Sequence, residues 1–290
     1  MNISTFIKFN LLQPIIKLTK SFIVQNLLPH LKRYTRGRKL KYDLWRLVKA
    51  ILYRIKTGVQ WRQLPLKAFF NSFTITWSTV YQHYRKWVED GSWRRLWQAL
   101  QFANRELLDL SSIQLDGSHT RAHTGGQAIA YQRRKKARTT NALFLTDKNG
   151  LVIAMSKPVA GNHNDIFCIK DRFEELLSDL EAVNIDPEGL FMNADSGFDA
   201  EVLRRMCFIA GIFDNIDINP RNGRDEERLP LMIEELYEER FAVERTNAWI
   251  DGFKNLVLRY EKLTRTWWAN HHIAFAIMLM RQPAFKTVKI

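Results

Sequence analysis

The chain has 290 residues, and its composition of 46% hydrophobic and 26% charged residues excludes an intrinsically disordered protein and predicts a folded one with a substantial core. This length predicts one large domain or two smaller ones. No apolar run has the length of a membrane span, and the two cysteines lack the CxxC spacing of a zinc site, so we expect a protein of a reducing cytoplasm without disulfides.

Positive charge is concentrated in the first third of the chain. The formal net charge is +14, and residues 1–100 contain 19 Lys and Arg but only three acids. The other 25 basic and 27 acidic residues lie in 101–290 and nearly cancel. This asymmetry predicts a polyanion-binding module joined to a near-neutral one. A basic surface that serves only solubility is the alternative.

Three helices are predicted in the basic region. Apolar residues spaced by three and four from Leu44 to Ile55 indicate the first helix, which Gly58 is suited to end. The second covers 77–89 after a cap at Thr74 or Thr76. Its inner face would hold Val80, Tyr84 and Trp87, and its outer face Ser78, Thr79, Gln82, His83, Arg85 and Lys86. The third begins at Trp93 and reaches about Leu108.

The outer face of the second helix is short, polar and basic, as in the recognition helix of a helix-turn-helix module. A three-helix bundle that binds nothing is the alternative. The basic run 32–41 also has two interpretations of equal weight. It is either a solvated linker or an arm that contacts phosphates or a minor groove.

Beyond residue 110 the pattern changes to alternating strands and helices. The predicted order is strands 113–116, 142–147 and 151–157, a helix over 164–183, strand 189–194, a helix near 199–210, strand 212–218, a polar loop over 219–230 and helices through most of 231–280. Asn149-Gly150 predicts a hairpin between the second and third strands. The order predicts an α/β fold with a mixed sheet flanked by helices.

Three acidic residues are candidates for one metal site. Asp116 and Asp195 each follow an apolar run and would end a strand, and Glu244 would lie on the polar face of a helix with Tyr237 and Arg240. Paired carboxylates repel each other, and a hard divalent cation such as Mg²⁺ removes that cost while binding phosphate oxygens. Two such ions can activate the attacking oxygen and stabilise the leaving oxygen of a phosphodiester.

Other interpretations of these acids stay open from spacing alone. An Asp at a strand end is often only a turn former. Competitors of the same type are Asp147, Asp165, Asp171 and Asp199. His119, His123 and His163 lie near the site candidates, where an ordinary loop role is favoured over a metal role. The cluster 133–138 is either a solvated loop or a phosphate-contacting loop beside the site.

Several motifs resemble those of bacterial insertion-sequence DDE transposases of the IS4/IS5 group. The resemblance covers about residues 25–282. In the helical part it is carried by Thr57-Gly58-Val59-Gln60-Trp61-Arg62-Gln63-Leu64-Pro65 and by Trp77-Ser78-Thr79-Val80-Tyr81. In the second part it is carried by Leu115-Asp116-Gly117-Ser118, Ala160-Gly161-Asn162-His163-Asn164-Asp165, Ala194-Asp195-Ser196-Gly197-Phe198-Asp199 and, most specifically, Tyr237-x-x-Arg240-x-x-x-Glu244.

The resemblance implies a ribonuclease-H-like catalytic domain with Asp116, Asp195 and Glu244 as the metal-binding catalytic triad. It also implies Mg²⁺, or Mn²⁺, as cofactor. Three positions depart from the family pattern: Asp251 replaces a Lys or Arg, Phe198 a Tyr, and Asn141 a Lys.

We therefore expect a basic helical DNA-binding domain over 1–110 and a ribonuclease-H-like catalytic domain over 111–290. The expected function is binding of terminal inverted repeats, phosphodiester hydrolysis and strand transfer. Candidate DNA contacts are Arg62, Gln82, Arg85, Lys86, Arg133, Arg134, Tyr237 and Arg240.

The expected partners are double-stranded DNA and further copies of the chain, as a homodimer or higher oligomer. We expect no membrane and no small-molecule substrate, and a cytoplasmic, nucleoid-associated location in a bacterium. Two alternatives remain: a metal-dependent nuclease of the same fold without strand transfer, and a catalytically decayed DNA-binding regulator.

Overall fold

The computed structural model describes residues 18–34, 42–70, 75–219 and 232–286. Thr74, most of the basic run 32–41 and nearly all of the polar loop 219–230 lie outside the described residues. Before residue 110 the α-helices are α1 (Lys20–Asn26), α2 (Leu44–Thr57), α3 (Leu66–Phe70), α4 (Trp77–Glu89) and α5 (Ser92–Ala103). In the described part, no helix is long and apolar enough to cross a membrane.

The three predicted N-terminal helices are present as α2, α4 and α5. Gly58 ends α2 with a left-handed backbone (φ 69°), which glycine adopts without strain. In α4, Val80, Tyr84 and Trp87 are buried as predicted. The outward position predicted for His83 is wrong, because its ring is half-buried against Trp87, 5.8 Å between centroids.

The third helix is shorter than predicted. It ends at Ala103, and Arg105–Leu107 form a 3₁₀ turn. Asn104 explains the end, because its side-chain amide donates to the carbonyl of Leu100 at 3.0 Å and so competes with helix continuation.

Eight strands form one mixed sheet in the second part of the described chain. They are β1 (Ile113–Ala122), β2 (Ala130–Gln132), β3 (Ala137–Asp147), β4 (Val152–Met155), β5 (Val159–Ala160), β6 (Phe191–Ala194), β7 (Phe213–Ile216) and β8 (Leu258–Arg259). The order along the sheet is β2-β3-β1-β6-β7, with β4 and β5 on β3 and β8 on β1. β3 is antiparallel to β1 and β4, whereas β6 and β7 run parallel to β1 and to each other. This is the predicted mixed sheet in ribonuclease-H-like order.

Helices cover both faces of this sheet. They are α6 (Ile169–Glu181), α7 (Glu201–Ile209), α8 (Glu234–Tyr237), α9 (Phe241–Asp251), α10 (Lys254–Val257) and α11 (Thr264–Met280). Three predicted boundaries in this part are wrong, and the first is the start of β3, which lies at Ala137 and not at 142. The helix predicted from 164 begins only at Ile169, after a left-handed residue at Cys168 (φ 49°). The strand predicted to end at Asp116 continues to Ala122, because its polar second half pairs with β3.

Alternate residues of the central strands build two separate cores. On β3, Leu143 and Leu145 join a core that α6 and α7 cover. Ala142 and Phe144 face the other core, which contains both α11 and the N-terminal helices. Helices from either side of residue 110 therefore share one core, and a domain boundary at 110 remains a prediction.

Helix α11 is the centre of that shared core. Nearly all of its residues from Trp267 onward are buried, including His271 and His272. It packs on α5, where fully buried Trp97 stacks on His272 with 5.1 Å between ring centroids. Burial lowers the pKa of His271 to about 4, so this imidazole is neutral in the folded protein.

We expect acidification to destabilise the protein through His271. The unfolded chain binds a proton near pH 6.5, whereas the folded chain does so only near pH 4. The corresponding stability is fully present above pH 6.5, is lost progressively as the pH falls towards 4, and amounts to about 3 kcal/mol. Urea unfolding at pH 7 and pH 5 measures it. His271→Gln should reduce the pH dependence, and an unchanged dependence would contradict this account.

Candidate active site

Asp116 and Asp195 lie side by side because their strands are parallel neighbours. Gln114 of β1 pairs with Asn193 of β6, and each carboxylate follows two residues later at the same level. β6 ends at Ala194, and Asp195 starts a 3₁₀ turn in which one of its oxygens accepts from the Gly197 amide at 2.9 Å. The structure thus brings together two of the three predicted acids at the edge where β6 stops.

A ladder of buried amide side chains fixes the chain segment that approaches these acids. Asn193 donates to Gln114 at 3.0 Å, and Asn215 of β7 donates to Asn193 at 2.7 Å. The ladder also binds backbone on the segment before Tyr237, since Asn193 donates to the Leu236 carbonyl at 2.9 Å. The ladder therefore places the segment that leads into Tyr237 and Arg240.

Among the ion pairs of the described residues, Arg240 is the basic partner of the acidic pair. Its guanidinium is 3.8 Å from an Asp195 oxygen and donates to the Tyr237 hydroxyl at 2.9 Å. Half of the Asp195 side chain, 46%, is exposed. A cation, a phenol and open carboxylate oxygens together can receive a phosphate group and its counterion.

Asp116 and Asp165 have pKa values that move in opposite directions. Burial, with further increases from the charges of Asp165 and Asp195, raises the pKa of Asp116 to about 6 against the lowering effects of the Gly117 amide and Arg240. Burial also raises the pKa of Asp165, but contacts with His119 and Asn141 outweigh it and keep the net value below the usual range. A divalent cation beside Asp116 would remove the repulsion among these carboxylates.

The donor chemistry fits a hard divalent metal ion. Asp116 and Asp195 offer only carboxylate oxygens, the donors that Mg²⁺ and Mn²⁺ prefer. No contact joins Glu244 to Asp116 or Asp195, and Glu244 is exposed on α9. Within the described ranges, no three His, Cys, Asp or Glu side chains are grouped closely enough to hold an ion.

The exposure of Glu244 follows from how α9 packs. Ala242 and Thr246 face the β3–β4 turn, where the Thr246 hydroxyl donates to the Gly150 carbonyl at 2.7 Å. Glu244 is two residues from either and so on the opposite side of the helix. The continuous polar helix predicted from Tyr237 is wrong, because Glu238–Arg240 form a 3₁₀ turn.

Two of the four competing acids have structural roles of their own. Asp147 is buried and accepts from the backbone amides of Asn149 and Leu151 at 3.0 and 2.7 Å, so it shapes the β3–β4 turn. Asp199 pairs with Arg204 at 2.9 Å. Asp171 is exposed in the first turn of α6. The fourth competitor, Asp165, lies close enough to Asp116 for its charge to raise the pKa of Asp116.

The three histidines are placed differently from one another. His123 stacks on Tyr260 with 4.9 Å between centroids, and His163 on Phe167 with 3.6 Å. His119 is buried beside Asn141, whose amide is 2.8 Å from Nε2.

The predicted DNA contacts on the helical part are exposed. Gln82, Arg85 and Lys86 lie on the outer face of α4. Arg85 is partly engaged by Glu89 at 3.0 Å, and Lys86 is 5.1 Å from the Tyr34 ring centroid. Arg62 lies over the Trp77 ring at 5.5 Å. These positions remain predicted contacts.

A basic turn between β2 and β3 reaches towards the acids. Arg133 and Arg134 are exposed in this turn. Their neighbour Lys135 is half-buried, which lowers its pKa, while Asp165 and Asp116 act to raise it. Lys135 is therefore within electrostatic range of the acidic site, and the turn borders it.

Several site residues are missing from the sequence-based prediction. They are Gln114, Asn193 and Asn215 of the amide ladder, and Arg172, which binds Asn141 at 2.8 Å. For the three amides, the available signal was one polar residue inside each apolar strand run. A buried polar side chain needs a hydrogen-bond partner, because burying it without one is costly.

In comparisons with known proteins two family models match the chain, and several solved structures match it with low similarity. The family described as "Putative transposase of IS4/5 family (DUF4096)" matches residues 22–97, and "Transposase DDE domain" matches 109–279. No curated protein matches the chain. The crystal structure of the Mos1 strand transfer complex has 10% identity over 84% of this chain and 78% of that chain, with a TM-score of 0.29. The pre-cleavage Mos1 transpososome has 11% identity over 89% and 83%, with a TM-score of 0.30.

Proposed function

The chain belongs to the DDE transposase family, an enzyme family that uses divalent metal ions, and from this premise we propose that it moves an insertion sequence. In this proposal it binds the terminal inverted repeats, hydrolyses phosphodiesters at the element's ends and joins the free 3′-hydroxyls to target DNA. The observation that supports the proposal best is the pair Asp116 and Asp195 at one level of adjacent parallel strands, with Arg240 3.8 Å from Asp195.

The residues around this pair have distinct proposed roles. Asp116 and Asp195 hold the metal, which we propose to be Mg²⁺ with Mn²⁺ as a substitute. A metal ion held by Asp116 and Asp195 would supply polarisation of the phosphodiester and activation of the attacking oxygen. Arg240 binds a DNA phosphate, and Tyr237 orients Arg240 through its hydroxyl, 2.9 Å away.

Glu244 is proposed as the third metal-binding carboxylate. It lies one turn after Arg240 on α9 and is exposed, so it is available to an ion that enters with DNA. No contact fixes its side chain to the Asp116–Asp195 pair, so its proposed role rests on the resemblance to the IS4/IS5 transposases.

The partners follow from the same proposal. Double-stranded DNA, as element end and as target, would contact the outer face of α4 and the turn between β2 and β3. Holding two element ends together requires a homodimer or higher oligomer on DNA. No small-molecule substrate or membrane is part of this function, and we propose action in the bacterial cytoplasm at the nucleoid.

A strand-transfer assay tests this function against its alternatives. Pre-cut, labelled duplexes carrying the element's end are incubated with protein, Mg²⁺ and a supercoiled plasmid target. Transfer of label to the plasmid is the expected result. If duplexes with uncut ends are cut but no label is transferred to the plasmid, the protein is a nuclease of the same fold. Tight binding without either reaction would indicate a decayed DNA-binding regulator.

The basic turn beside the site should contribute to DNA affinity without sequence preference. Arg133→Ala with Arg134→Ala should weaken binding of specific and random duplexes alike, because phosphate contacts carry no sequence information. The slope of log affinity against log salt should fall by about 2. Fluorescence anisotropy across a salt series measures it.

The matched control for the turn is Lys170→Ala with Arg205→Ala. It removes the same charge from exposed positions on α6 and α7. Equal losses of affinity in both double variants would show that net charge, and not the turn, determines binding.

A further inference from the structure

Asp165 lies beside Asp116, and its carboxylate fits there only because residue 117 is a glycine. A Cβ on residue 117 would overlap the Asp165 carboxylate. Gly117 directly follows Asp116 on β1, so the second carboxylate rests against the backbone of the strand that carries the first. Only 29% of the Asp165 side chain is exposed.

Asn141 fixes the orientation of this carboxylate. Its Nδ2 donates to Asp165 Oδ1 at 2.5 Å and faces His119 Nε2 at 2.8 Å. Its Oδ1 accepts from Arg172 at 2.8 Å. Both amide hydrogens and the amide oxygen are thereby used, so the side chain has a single satisfied orientation.

His119 and Arg172 support this arrangement from two sides. His119 Nε2 lies 3.7 Å from Asp165 Oδ1, and its Nδ1 lies 3.3 Å from the Thr139 hydroxyl. Arg172 also donates to the backbone carbonyl of Asp165 at 3.0 Å. A guanidinium from α6 therefore holds both Asn141 and the chain at Asp165.

We propose that Asp165 is a positioning residue of the metal centre. Its fixed negative charge against Gly117 strengthens divalent-cation binding by Asp116 and Asp195, and its hydrogen bond to Asn141 marks it as an outer carboxylate and not a direct ligand. Outer groups of this kind orient the ligands and tune metal affinity. The inference rests on the proposed metal-dependent function.

Binding of Mn²⁺ alone to the full-length protein tests the inference. Free Mn²⁺ is measured by electron paramagnetic resonance for wild type, Asp165→Asn, Asp116→Asn and the control Asp171→Asn, which removes a charge from an exposed position on α6. Asp165→Asn should weaken Mn²⁺ binding about 10- to 100-fold, with an unchanged melting temperature. Asp171→Asn should have the wild-type affinity.

The outcomes separate this inference from the proposed function. If Asp116→Asn abolishes Mn²⁺ binding while Asp165→Asn behaves like Asp171→Asn, the role of Asp165 is wrong and the metal site stands. If Asp116→Asn leaves Mn²⁺ binding intact, the proposed metal site itself is wrong. Should Asp165→Asn unfold, Asn141→Ser is measured instead, because it keeps the charge and removes its orienting bond; unchanged Mn²⁺ affinity would then overturn the inference.

Discussion

Asp116→Asn should reduce Mg²⁺-dependent cleavage of duplex DNA at least about 10³-fold, since a bound metal supplies several kcal/mol of transition-state stabilisation and each 1.36 kcal/mol is tenfold in rate. The amide has the shape of the carboxylate but lacks the charge that holds a cation. Burial also raises the pKa of Asp116 to about 6, and the charges of Asp165 and Asp195 add to this increase. Single-turnover cleavage of end-labelled duplex measures the loss.

Two controls make this result specific. DNA affinity of Asp116→Asn should equal or exceed that of wild type, because a negative charge near the phosphates has been removed. Asp171→Asn, the exposed replacement on α6, should cleave at the wild-type rate. Cleavage by Asp116→Asn within tenfold of wild type would exclude this residue from the chemistry.

Trp97→Ala should lower the free energy of unfolding by about 3–5 kcal/mol, the usual cost of removing a fully buried large aromatic side chain. Trp97 lies on α5 and is fully buried. It packs against His272 and Phe275 of α11, with ring centroids 5.1 and 5.5 Å away. Urea unfolding followed by circular dichroism measures the change. The matched control is Phe102→Ala, because Phe102 lies on the same helix and is 48% exposed.

The same packing makes the N-terminal helices necessary for the second part of the chain. Residues 111–290 expressed alone should lack a cooperative unfolding transition, because α11 would expose the apolar surface that α5 covers. A cooperative transition of this fragment, or equal effects of Trp97→Ala and Phe102→Ala, would show that the shared core contributes little to stability.

The elements of the fold were predictable where local pattern determines them. The α2 and α4 helices follow from apolar spacing, and the central strands from short apolar runs. The polar second half of β1 was not predictable, because Ser118 to Arg121 have no apolar alternation. They become a strand only by pairing with β3. Helix α11 is apolar on all sides, which indicates burial, but its partner α5 is distant in the sequence.

The site was predictable in part for the same reason. Asp116 and Asp195 share one local pattern, an apolar run followed by an acid and a small residue, and parallel pairing of β1 and β6 brings them level. Asp165 could not be distinguished from the other competing acids in the sequence. Its position depends on contacts with Asn141 and Gly117, which residue spacing does not reveal. Glu244 lies on a predicted helix. The 3₁₀ turn before it changes the direction of Glu244 relative to Tyr237, so the two do not share one continuous helix face.

One cleavage assay tests whether Asp116, Asp195 and Glu244 together support metal-dependent DNA cleavage. Labelled duplex carrying the element's own end is incubated with Mg²⁺ or with chelator, using wild type, Asp116→Ala, Asp195→Ala and Glu244→Ala. We expect nicks only with Mg²⁺, and we expect each substitution to abolish them while DNA binding persists. Cleavage that survives these substitutions but is lost in Asp165→Ala or Asp199→Ala would contradict the assignment of the triad.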